Sequence, residues 1–68
     1  MIVALNGERA ELRAGATVAD AVEAAGASGS GRGIAVAVNG EVVRRAEWEA
    51  TRLESDQVVE VVHAVQGG

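Results

Sequence analysis

The chain has 68 residues, a net charge of −4, an apolar fraction of 49%, one Trp and no Phe or Tyr. A chain of that length holds one small domain with a thin core, since it buries only about 60% of the surface its unfolded form exposes. Cysteine is absent, which excludes a disulfide framework, a thiolate metal site and a cysteine nucleophile. The acidic balance argues against nucleic acid, whose phosphates require clustered positive charge. No apolar run approaches the roughly 20 residues of a membrane helix. The start, Met1 to Leu5, has neither a basic n-region nor a long apolar stretch, so a cytoplasmic protein without a signal peptide is expected. All the basic residues are Arg, so no side-chain amine is available for Schiff-base chemistry.

Met1 to Leu5 reads as a short apolar strand. Asn6-Gly7 follows as a hairpin turn, because both residues tolerate positive φ. Arg9 to Leu12 then alternates polar and apolar, as a half-buried strand does. Thr17 is placed to cap a helix whose first turn carries Asp20 at the positive end of the dipole. Val18, Ala21, Val22 and Ala25 recur at helical spacing, and Gly26 suits the residue just past the helix end. Ala27 to Gly33 is a small Gly/Ser-rich loop. Ile34 to Val38 is a continuous apolar strand, expected to be central, and Asn39-Gly40 is a second hairpin turn into Glu41-Val42-Val43. Arg44 to Thr51 is polar apart from Ala and Trp48 and holds a short helical turn. A turn at Glu54-Ser55-Asp56 leads into Gln57 to Val65, rich in β-branched residues.

Two hairpins flanking one helix, with a last strand that must find a place in the sheet, predict an α+β fold of two layers. A mixed sheet of about five strands clasps the helix in a β-grasp arrangement, with the last strand central beside the first. Residues 1–65 form the domain, and residues 66–68 a flexible tail that leaves the sheet.

That tail, Gln66-Gly67-Gly68, is the sharpest chemical feature. Two residues without side chains allow a chain end to enter a narrow channel, at an entropic cost on ordering. The plain reading is a frayed end; the strand that runs into the tail without a linker favours function. Gly29-Ser30-Gly31-Arg32-Gly33 resembles a phosphate loop in composition only. It follows a helix and opens a strand, the reverse of a nucleotide-binding loop. His63 has no second His, Cys or acid orienter near it in sequence and reads as structural. Trp48 reads as a core or rim residue, and Arg44-Arg45 as solvating a strand end. No pair of carboxylates suits acid–base work. No metal or cofactor site is expected on the chain, and it does not read as an enzyme.

Strand alternation sorts the faces. Val59 and Val61 point one way, towards the helix stripe; Val58, Glu60, Val62 and Ala64 point the other. Ile34, Val36 and Val38 share the inner face. The outer face then carries Ile2, Ala4, Ala35, Ala37, Val58, Val62 and Ala64, more apolar than a solvent face needs, and is expected to be a partner-binding patch.

Several stretches together resemble the ThiS family of sulfur carriers in thiamin biosynthesis. They are Asn6-Gly7-Glu8, Thr17-Val18-Ala19-Asp20, the run from Ile34 to Val43, Trp48 with Thr51 and Leu53, and most specifically Val59 to Gly68. Relatives often carry Pro at the position of Arg44 and Gly at that of Ser55, and the Gly29 to Gly33 loop is long for the family. The resemblance implies a ubiquitin-like fold and a modified chain end. A ThiF-type adenylating enzyme, using ATP and Mg²⁺, would convert the Gly68 carboxylate into an acyl-adenylate. A persulfide sulfur donor would replace AMP and leave a thiocarboxylate, from which thiazole synthase takes sulfur. Two alternatives stand beside it: a sulfur carrier of another pathway, such as the small subunit of molybdopterin synthase, and an interaction module or ubiquitin-like modifier with no sulfur chemistry.

Overall fold

The chain folds around its last strand. In the computed structural model, residues 1–27 and 33–63 are described. They form β1 (Ile2–Leu5), β2 (Glu8–Glu11), α1 (Val18–Ala24), β3 (Ile34–Val38), β4 (Glu41–Val43), a 3₁₀ turn (Arg45–Glu47) and β5 (Val58–His63). The strand order is β2-β1-β5-β3-β4. β5 pairs parallel with β1 and antiparallel with β3, and each hairpin is antiparallel. The mixed sheet with one helix is the β-grasp expected from the order of elements. β3 is interior, but the central place belongs to β5.

Both hairpin turns have positive φ at each of their two central residues: 52° and 80° at Asn6-Gly7, 50° and 85° at Asn39-Gly40. That is the type I′ geometry whose twist matches the flanking strands. Both Asn residues therefore sit in the left-handed region, where a short amide side chain is tolerated.

The ends of α1 are fully accounted for. Thr17 is the N-cap; its hydroxyl accepts from the Asp20 N–H, and the Asp20 carboxylate accepts from the Thr17 N–H at 2.8 Å, a reciprocal capping box. The N–H groups of Val18 and Ala19 donate to the carbonyls of Thr51 and Trp48. All four donors that a helix start leaves without intrahelical partners are thus satisfied. At the other end Gly26, φ 81°, donates to the Glu23 carbonyl and Ala27 to the Val22 carbonyl, which is the Schellman pattern. The helix stops at Ala24, with Ala25 as its C-cap.

The helix buries Val18, Ala21 and Val22 against Val3, Leu5, Val36, Val59 and Val61 of the sheet. Trp48 and Leu53 close the core from the segment between β4 and β5. Trp48 is buried, and its indole N–H donates to the Val43 carbonyl at 2.9 Å, so the one large aromatic pins the 3₁₀ turn to the end of β4. Leu53 N–H donates to the Ala16 carbonyl at 2.8 Å, fastening the same segment to the helix entrance.

The two departures from the family pattern cost the backbone nothing. Arg44 has φ −67° and ψ 148°, close to the φ that a proline ring would lock. The turn before β5 takes its positive φ at Asp56, 71°, and not at Ser55. Among the described residues no helix is long and apolar enough to cross a membrane.

Candidate functional site

Register, more than alternation alone, defines the outer face of the sheet. Ala4 stands opposite Val58, Ala35 opposite Val62, and Ala37 opposite both Glu60 and Val42. Residues directly paired across strands share a face. Ile2, two residues before Ala4, lies on it too. The structure thus gathers on one side Ile2, Ala4, Ala35, Ala37, Val58 and Val62. Ala64, expected on the same face, lies outside the described residues.

The group is uneven in exposure. Val62 is 59% exposed and Val58 47%, and Ala35 is open to solvent. Ile2, Ala4 and Ala37 are half-buried. Among the described residues the most exposed large apolar side chain is Val42, at 76%, which sequence reasoning did not include. In Glu41-Val42-Val43 two valines are adjacent, so alternation leaves undecided which one faces the core. The pairing of Ala37 with Val42 decides it. Glu60 is the one acidic side chain that β5 places in the middle of this face. Arg9 and Glu11 reach the same side from β2, opposite Ala4 and Ile2.

The strand carrying the patch is held by a second feature, invisible in strand periodicity. Both turn asparagines reach β5. The Asn39 N–H donates to the Val58 carbonyl at 2.7 Å, and the Val58 N–H donates back to Asn39 Oδ1 at 2.8 Å. The Asn6 N–H donates to the Val59 carbonyl at 2.9 Å, and the Val61 N–H donates to Asn6 Oδ1 at 2.7 Å. Asn at each turn was legible as turn chemistry; its side chain also serves the ladder of the last strand.

Other residues take quieter places. His63 ends β5 opposite Ile34 and is exposed. Arg44 and Arg45 are exposed. Arg13 pairs with Asp20 at 2.9 Å on the surface. Among the described residues no cluster of three His or acidic side chains could hold a metal. Gly29 to Arg32 and the tail Gln66-Gly67-Gly68 lie outside the described residues, so the expectations placed on them have no geometry beside them.

A five-stranded mixed sheet around one helix, with an exposed apolar face on the strand that leads to the chain end, defines a small β-grasp domain of ubiquitin-like type. Solved structures share that architecture. The crystal structure of the thiamine biosynthesis protein ThiS from Geobacter metallireducens matches with a TM-score of 0.77 at 24% identity, over the whole of both chains. The solution NMR structure of a thiamine biosynthesis protein from the same organism matches with the same TM-score and identity, over the whole of this chain and 88% of that one. No curated protein sequence matches. The model of the ThiS family matches residues 3–68, and the chain belongs to that family. Its members are small sulfur carriers, not catalysts.

Proposed function

We propose that the chain carries sulfur on its C-terminal carboxylate for thiamin biosynthesis. The observation that carries this reading is continuity. The exposed apolar face is centred on β5, and the chain runs from β5 through residues 64–68 to Gly67-Gly68. Family membership over residues 3–68 supports it.

The chemistry follows from what the side chains lack. A carboxylate is a poor electrophile. Attack of the Gly68 carboxylate on the α-phosphorus of ATP, in a ThiF-type enzyme holding Mg²⁺, releases pyrophosphate and makes a mixed anhydride with AMP. The terminal sulfur of a persulfide then attacks the acyl carbon, and AMP leaves. A thiol attacks the donor's own sulfur in the resulting acyl disulfide, the one not bound to the acyl carbon. The S–S bond breaks, a new disulfide forms between thiol and donor, and the thiocarboxylate is left on Gly68. That group is anionic and nucleophilic through sulfur, so thiazole synthase can take the sulfur. The chain itself binds no cofactor in this scheme. With no cysteine and no lysine, it has no thiol or side-chain amine to intercept its own adenylate. Gly67 and Gly68 leave the carbonyl accessible in a narrow site, and Ile2, Ala4, Ala35, Ala37, Val42, Val58, Val62 and Ala64 form the docking surface.

Intact mass spectrometry tests the proposal directly. The chain is incubated with a ThiF-type enzyme, ATP, Mg²⁺ and a persulfide donor. A mass gain equal to replacing one oxygen by sulfur, located at Gly68, is the expected result. An unchanged mass with an enzyme active on its own carrier overturns it.

A further inference from the structure

We propose that Asn6 is a positioning residue for the reaction at the chain end, acting through the Val61 N–H; the inference rests on the carrier reading above. The β1 side of β5 is short of partners. β1 ends at Leu5 and pairs with β5 only at Val58 and Val59. On its other side β5 is paired with β3 as far as His63. Beyond Val59 the β1 edge of the β5 backbone is therefore held, among the described residues, by one hydrogen bond, the 2.7 Å bond from the Val61 N–H to Asn6 Oδ1. Asn39 grips the opposite end, at Val58. The pair forms a clasp on the strand that carries both the patch and the reacting carboxylate.

Loss of the Asn6 acceptor leaves Val61 to His63 held from one side only. A strand end with unpaired groups opens more readily than the rest of a sheet. Each opening has two consequences within the complex. It removes Val62 from the docking face, and it adds the released residues to the length of chain between that face and the Gly68 carboxylate. Effective concentration at a partner's site falls roughly as the −3/2 power of tether length. Asn6 is exposed and outside the core, so its influence runs along the strand and not through packing.

The side-chain chemistry allows a clean test. Asn6→Gly keeps a Gly-Gly type I′ turn but removes the acceptor. Asn6→Asp tolerates the same φ and restores an oxygen acceptor. Two readouts are taken far below the melting temperature. One is amide exchange at Val61, Val62 and His63, with Val3 and Val36 as references for global opening. The other is the adenylation rate at a saturating ThiF-type enzyme, followed by pyrophosphate exchange into ATP.

The expected result for Asn6→Gly is exchange about fivefold faster at Val61 than in wild type, with the references unchanged. Its saturated adenylation rate falls about threefold. Asn6→Asp returns both to near wild type. Unchanged exchange at Val61 overturns the clasp. Faster exchange with an unchanged saturated rate overturns the positioning role and leaves Asn6 a turn residue. Wild-type chain that the enzyme does not adenylate overturns the carrier reading, and the positioning role with it. In that case the exchange arm still decides whether the clasp exists.

Discussion

Val61 and Val62 are neighbours with opposite surroundings: 6% and 59% exposed. A carboxylate at Val61 would lie in the buried apolar cluster that also holds Val18, Val22 and its cross-strand neighbour Val36, with no partner, at a cost of several kcal/mol. Against a total stability of about 5 kcal/mol for a domain this small, Val61→Asp is expected to be largely unfolded at room temperature. Val62→Asp is expected to change stability by less than about 0.5 kcal/mol, as exposed sites usually do. On the proposed docking surface its effect falls on binding instead: the complex with an adenylating enzyme is expected to weaken about tenfold or more, because a charge at the centre of an apolar contact is desolvated. Melts of both variants beside binding titrations check this; a folded Val61→Asp with an unfolded Val62→Asp would invert the faces. This contrast was readable in the sequence, since strict alternation over Val58 to Val62 has one charged position, Glu60, to mark the outside. Val42 was not readable, because its face depends on pairing with Ala37, a contact between chain segments. The reach of Asn6 and Asn39 to β5 was hidden for the same reason: a turn signal describes the residue's own backbone and not the distant strand its amide meets.

Among the elements, α1 is the most legible and also the most dependent on what lies outside it. Its cap, stripe and terminal Gly26 all follow from local chemistry. The Thr51 and Trp48 carbonyls that complete its first turn come from a polar stretch with no periodicity to reveal it. The cap gives the helix a pH signature. The Thr17 backbone N–H, aided by the Arg13 charge, holds the Asp20 carboxyl below its ordinary value of 3.8. A carboxyl whose folded pKa is depressed contributes stability above its unfolded pKa, and loses it as pH falls through the folded value. Asp20→Asn keeps an acceptor for Thr17 but removes the charge. It is expected to lower the melting temperature at pH 7, with the gap to wild type closing below about pH 4. Thermal melts at neutral and acid pH check this, and a gap that persists at low pH would place the contribution in shape and not in charge.

For the molecule as a whole, recognition and reaction are separable. On the proposed function, docking belongs to the outer face, and reaction to the carboxylate of Gly68, whereas the buried cluster is built from residues of the helix, the sheet and the segment before β5. Deleting Gly68, or adding one residue after it, is expected to abolish adenylation while leaving the melting temperature and the affinity for the adenylating enzyme close to wild type. Pyrophosphate exchange beside a binding titration decides it, and an extended chain that still exchanges pyrophosphate refutes the assignment of chemistry to the terminal carboxylate.

The order of strands also bears on how the chain is made. Among the described residues β2-β1 and β3-β4 are hairpins that do not pair with each other, and β5 joins them. Synthesis runs from the N-terminus, so the strand at the centre of the sheet leaves the ribosome after the four strands it joins. Until Val58 to His63 emerge, the nascent chain holds two separate hairpins and a helix with half its floor missing. Isolated two-stranded hairpins are marginal in water. A polypeptide stopped at residue 57 is therefore expected to show no cooperative melt by circular dichroism, whereas the full chain does. Abortive translation products would then present no assembled outer face, and on the proposed function folding itself would act as a proofreading step for the presence of the strand that leads to the chain end.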